Sequence, residues 1–179
     1  MMDNFREESV GRRNSLVYDL LYVLSWVVIV VFGLVAVTLL QATVLSLNFN
    51  LPLIIVMLLT GGIAVLLFLR KDRLKTEYEY TFTNGELDLA MVFRSVSRKE
   101  LGSMRVKNVE ACGHVAHESF QRYVNMPGVK KSNWFANRSG NLFYFYFAKD
   151  EAKRLIIIEP TETLVDMIRQ YCAPGAYQG

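Results

Sequence analysis

Residues 77–93 read EYEYTFTNGELDLAMVF. Tyr78, Tyr80 and Phe82 alternate with polar residues, as on a strand with one buried face. Asn84-Gly85 then supplies the two positive-φ positions of a tight hairpin turn. Leu87, Leu89, Met91 and Phe93 share one face of the returning strand. A two-residue turn pairs Phe82 with Leu87, Tyr80 with Leu89 and Tyr78 with Met91, so turn and pattern specify one register.

Upstream of this hairpin the composition is different. Residues 20–69 contain no Lys, Arg, Asp, Glu or His. Two apolar runs lie inside, Leu20–Leu40 and Leu51–Leu69. At a helical rise of 1.5 Å they reach about 31 and 28 Å, the thickness of a hydrocarbon core. Pro52 falls in the first turn after Asn50, where its missing N–H costs nothing. Gly61 and Gly62, with Gly33 and Ala36 on the first run, are small residues that let membrane helices approach, in the hairpin or in a homo-oligomer. The connection 41–50 is short, which predicts an antiparallel hairpin. Arg6, Arg12 and Arg13 precede the first span, and Arg70, Lys71, Arg73 and Lys75 follow the second; the loop carries no basic residue. This asymmetry predicts a multi-pass cell-membrane protein with both termini in the cytoplasm. A cleaved signal is disfavoured because its apolar core would be shorter. Tyr22 and Trp26 suit an interfacial belt. The expected organisation is a cytoplasmic segment 1–19, two spans (20–40 and 51–69) with an external loop 41–50, and a cytoplasmic domain 76–179 that folds apart from the membrane.

Downstream, short strands are expected at Ser97–Leu101, Asn108–Val115 and Ser119–Val124. The run Asn141–Ala148, apolar on both faces, reads as a central strand, and Arg154–Glu159 as a β-branched one. Thr161 caps a closing helix with Leu164, Val165, Ile168 and Cys172 on one stripe. The tail Pro174–Gly179 is expected to fray.

Strands followed by one amphipathic helix, directly after a membrane hairpin, resemble a known arrangement. EYEYTFTNGELDLAMVF and the closing RLIIIEPTETLVDMIRQY are similar to the start and end of the PH-like (pleckstrin-homology-like) domains of uncharacterised small bacterial two-span membrane proteins. The resemblance implies a partly open barrel of about seven antiparallel strands with a C-terminal α-helix. It carries no catalytic or binding motif.

The whole chain of 179 residues has a net charge of only +3, too balanced to argue for nucleic acid. Among candidate sites, Cys112, His114, His117 and Glu118 contain good zinc ligands, but no second Cys or His cluster accompanies them, so no metal is expected. Cys172 is not placed near Cys112, and a reducing cytoplasm disfavours a disulfide. No nucleophile elbow, phosphate loop or dinucleotide fingerprint occurs, so neither enzyme activity nor a cofactor is expected. The suggestive stretch is 121–140, where Arg122, Lys130, Lys131 and Arg138 interleave with Tyr123, Trp134 and Phe135 without an acid. That mixture suits anionic lipid headgroups or a protein partner. The expected function is a membrane-tethered, non-catalytic binding or scaffolding module. The alternatives are an accessory subunit of a larger membrane complex and, behind it, a Cys/His metalloenzyme.

Overall fold

A computed structural model describes residues 4–46, 50–94, 97–150 and 152–179. The chain forms two compact units, a helical one within residues 14–75 and a mainly-β one that joins residues 4–13 to 76–179. The N-terminal segment 1–19 is therefore divided rather than separate. Phe5–Val10 is a strand, β1, hydrogen-bonded antiparallel to β2 (Thr76–Thr83) with Val10 opposite Tyr78. The reason is chemical. Val10 and the Glu8 carboxylate both find partners in the β unit, and a short polar strand can satisfy its backbone at the open edge of β2.

The helical unit holds α1 (Ser15–Ser46) and α2 (Leu51–Arg70). Both are long and apolar enough to cross a membrane. Helix α1 runs six residues past the expected end of its apolar run. The Thr43 and Ser46 hydroxyls there donate to the Leu39 and Ala42 carbonyls, so these polar residues extend the helix instead of ending it. A Cβ on Gly61 would lie 3.6 Å from that of Ala36, the small-residue approach that the spacing predicts.

In the β unit the hairpin is as expected. Strand β2 pairs with β3 (Glu86–Phe93), Phe82 opposite Leu87, Tyr80 opposite Leu89 and Tyr78 opposite Met91. Asn84 and Gly85 have φ of 49° and 89°. Strand β4 (Ser97–Arg105) completes a first sheet of order β1-β2-β3-β4. It is longer than expected and bulged between Leu89 and Ala90 of its partner. Beyond that bulge the buried residues of β3 are Ala90 and Val92, not Met91 and Phe93.

The second sheet has the order β5-β7-β8-β6, from β5 (Ala111–His114), β6 (Lys130–Trp134), β7 (Phe143–Lys149) and β8 (Ala152–Ile158). Eight strands are thus described where about seven were expected. They divide into two sheets, and β6 runs parallel to β8. A parallel neighbour requires a longer connection, which the chain makes by passing from β6 through a loop and β7 before returning as β8. The Ser119–Val124 segment is a helix, α3, not a strand. Phe120 and Tyr123 lie three apart and turn one helical face to the sheet.

One core fills the space between the sheets. Tyr80, Phe82, Leu87 and Leu89 face Cys112, Phe143, Phe145, Ile156 and Ile158. The last helix, α4 (Glu162–Tyr171), adds Leu164, Val165 and Ile168. Thr161 accepts from the Leu164 N–H as its N-cap, and is itself held by Glu8 of β1, which accepts from the Thr161 N–H at 3.0 Å and from its hydroxyl. A second cluster covers the other face of the second sheet, where Ala111, Tyr144, Tyr146, Leu155 and Ile157 meet Phe120 and Tyr123. Strand β7 is buried on both faces, as its unbroken apolar run predicts.

The C-terminal tail does not fray. The Cys112 N–H donates to the Ala176 carbonyl and the Gln178 N–H to the Cys112 carbonyl, both at 2.8 Å. On the edge of β5 away from β7, the tail thus satisfies both backbone groups of Cys112. Gly113 makes room: a Cβ there would lie 2.2 Å from the Gln178 carbonyl oxygen.

Candidate functional site

The stretch 121–140 separates into buried aromatics and exposed cations. Tyr123 is buried, its ring 4.6 Å from that of Tyr146, and its hydroxyl accepts from the Gln178 amide. Trp134 is half-buried against the core, and its carbonyl accepts from the Tyr80 hydroxyl at 2.6 Å. Phe135 packs against the outer cluster. Three aromatic side chains are therefore committed to packing. Arg122, Lys130, Lys131 and Arg138 stay exposed.

The far end of the stretch is pinned by a buried carboxylate. Glu159 accepts from the Asn137 N–H at 2.9 Å and from its side-chain amide. That amide also donates to the Gly11 carbonyl, while the Asn137 side-chain oxygen accepts from the Arg13 N–H. A Cβ on Gly140 would lie 2.1 Å from the Glu159 carboxylate, so any side chain there would push that carboxylate off Asn137. The Tyr80 hydroxyl, accepting from the Glu159 N–H, links the first sheet to this network. Burial holds its ionisation well above the ordinary phenol range, so it remains a donor.

The parallel pairing brings together cations that lie apart in sequence. Lys130 is the register partner of Arg154, which is paired on its other side with Phe147. Exposed Lys149 and Lys153 flank the β7–β8 turn. Arg154 reaches Asp150 at 3.4 Å, and its Nε is buried with no hydrogen-bond partner among the described residues. Sequence reading missed Lys149, Lys153 and Arg154 because nothing local announces a parallel β6–β8 pair.

The Cys/His segment does not converge. The His114 ring is 3.0 Å from the Asn141 side chain and edge-on to Phe143. His117 and Ser119 are 2.8 Å apart, but the Ser119 hydroxyl is shared with Tyr144 at 2.9 Å and its N–H donates to the same His117 nitrogen. This is a helix-start network; no carboxylate orients His117 among the described hydrogen bonds, as a catalytic base would need. Among the described residues no group of three or more His, Cys, Asp or Glu could hold a metal. Cys112 instead faces Cys172, sulfur to sulfur at 3.2 Å. The strand reading missed this because it left the end of α4 unplaced.

Two open hollows of about 400 and 250 Å³ lie by the hairpin turn and share Glu86 and Arg105. The larger also includes Lys107 and Tyr171, whose ring sits under Gly85. In the helical unit, Lys71 is buried, its ammonium 5.0 Å from the Trp26 ring centre and 4.4 Å from that of Phe68. Lys75 pairs with Asp19 at 2.5 Å and lies over Tyr22. Charged and aromatic groups thus gather at one end of the two helices, as at an interfacial belt.

The family described as Bacterial PH-like domain (DUF6106) matches residues 2–177. The chain belongs to that family. No curated protein and no solved structure matches it. The DUF6106 match begins before β1 and ends within the docked tail, so it takes in the inserted helices as well as both sheets. Two apolar helices and a mainly-β PH-like unit are what the resemblance implied.

Proposed function

We propose that this DUF6106 chain is a two-span membrane protein whose cytoplasmic β unit is a non-catalytic binding module for anionic lipid headgroups. Strand pairing supports the topology. Val10 and Tyr78 are neighbours in one sheet, so the chain between them must return to the side of the bilayer that it left. This supports an even number of crossings, as two spans would give, and the basic flanks favour cytoplasmic ends.

The observation that carries the binding surface is a basic corner of the second sheet, where the start of edge strand β6 lies beside the β7–β8 turn. Lys130, Lys131, Lys149 and Lys153 are exposed around Arg154. With Tyr123, Trp134 and Phe135 packed inward, the exposed cations suit electrostatic contact with a charged surface more than insertion into it. A tether to the bilayer keeps such a surface continually near its ligand.

The test is flotation of a β unit from which residues 14–75 have been replaced by a short Gly/Ser linker. Binding to vesicles containing phosphatidylserine should exceed binding to neutral vesicles and fall as salt rises. At about 1 kcal/mol per surface cation, Lys130→Gln with Lys131→Gln should weaken it roughly thirtyfold, with an unchanged melt. Equal flotation of parent and variant, or none by either, overturns the lipid reading.

A further inference from the structure

Cys112 and Cys172 are 60 residues apart in sequence, yet their sulfur atoms lie 3.2 Å apart. Both are free thiols. Each sits on a fixed backbone. Cys112 is held in β5 between Phe145 of β7 and the C-terminal tail, with both its backbone groups bonded to that tail. Cys172 closes the last turn of α4, its N–H donating to the Ile168 carbonyl at 3.1 Å. An approach of roughly 1.2 Å would bring the sulfurs to the ~2.05 Å of a disulfide.

The two thiols are not equivalent. Cys112 is fully buried, whereas Cys172 is partly exposed. The hydrogen bond between them favours one ionisation pattern. Either sulfur can donate across the contact; with the buried Cys112 as donor, the bond and its burial push its ionisation far up, while the same bond draws that of Cys172 down. An accessible sulfur that more readily becomes a thiolate is the attacking partner in exchange chemistry.

We propose that Cys112 and Cys172 are a reversible redox site oxidised by low-molecular-weight disulfides, with Cys172 as the attacking and Cys112 as the resolving thiol. The Cys172 thiolate attacks one sulfur of the small disulfide, forming a mixed disulfide and expelling one small thiolate. Cys112 then loses its proton to solvent and attacks the Cys172 sulfur, expelling the second small thiolate. Two electrons pass from the protein to the small disulfide, which leaves as two thiols, and the protein gains one S–S bond. The new bond ties β5 to the end of α4 and fastens the docked tail. In a cytoplasm the resident thiol pool returns the pair to its reduced form, so the site responds to the state of that pool.

The experiment uses the full chain, reduced and purified in detergent, with oxidised glutathione as the probe and mass spectrometry of intact protein and peptides as the readout. The parent should lose both thiols and two hydrogen atoms, with a transient glutathione adduct on Cys172. Cys112→Ser should trap that adduct. In folded Cys172→Ser, Cys112 should react at least about tenfold more slowly than Cys172 does in Cys112→Ser. Melts report folding, and Cys112→Ala and Cys172→Ala replace any serine variant that fails to fold. Retention of both thiols by the parent under excess oxidised glutathione overturns the proposal. So does a first adduct on Cys112, or an adduct on Cys172 that never resolves.

Discussion

The helical unit and the β unit use the same aliphatic residues in opposite ways. Leu34 and Leu58 of the helices are 62% and 64% exposed, whereas Leu87, Leu155 and Leu164 of the β unit are fully buried. Burying one such side chain is worth about 1.5–3 kcal/mol in water. A chain in water would not leave two helices of them uncovered while packing a separate core so completely. The outward face is suited to lipid, where no such penalty exists. Polarity is inverted with it. The helices gather Asp19, Lys71 and Lys75 at one end, and the β unit spreads its charges over its surface.

The sharpest way to break this contrast is to separate the units. A β unit that keeps residues 4–13 and replaces 14–75 by a short linker should dissolve without detergent and melt cooperatively. The fragment 76–179 should not. It lacks β1, and with it Glu8, the residue that holds the Thr161 cap of α4. We expect it to lose most of the ~5–15 kcal/mol that stabilises a domain, read as loss of a sigmoidal transition in circular dichroism. Equal melts for the two would remove β1 from the β unit's fold.

A smaller effect sharpens the contrast residue by residue. Leu164→Ala should cost about 2–5 kcal/mol in denaturant melts of the helix-deleted unit, through lost burial and a cavity. Leu34→Ala should change the full chain's melt in detergent by less than about 0.5 kcal/mol, since its side chain faces outward. Between these two lies Tyr80→Phe, which leaves the Trp134 carbonyl and Glu159 N–H without their shared partner. We expect about 1–3 kcal/mol of destabilisation with little change in shape. A neutral result would show that Tyr80 contributes only its ring.

How far the fold could be read follows from the range of the interactions that set it. The β2–β3 hairpin was legible because Asn84-Gly85 and the alternation of Tyr80, Phe82, Leu87 and Leu89 are local. The cap at Thr161 and the stripe on α4 are local too. The roles of β1, of the β6–β8 parallel pair and of the docked tail depend on partners far along the chain, so no nearby pattern could announce them. For the same reason Trp134 and Phe135 looked like a binding surface, when a distant sheet supplies their packing. Only the exposed cations of that stretch, Lys130 and Lys131 foremost, remain for the proposed site. Arg154, their neighbour across the pair, was legible only as a strand residue.

The central claim is that a membrane hairpin is inserted between two adjacent strands, so that the chain on both sides of it lies in the cytoplasm. Single cysteines at Arg13, Ser46 and Lys153, in a chain with Cys112 and Cys172 changed to serine, test it in intact cells with a membrane-impermeant maleimide. The account predicts labelling at position 46 without permeabilisation, and at positions 13 and 153 only after it. Labelling of 13 and 153 from opposite sides, of 46 from the same side as 153, or of 153 in unpermeabilised cells would contradict it.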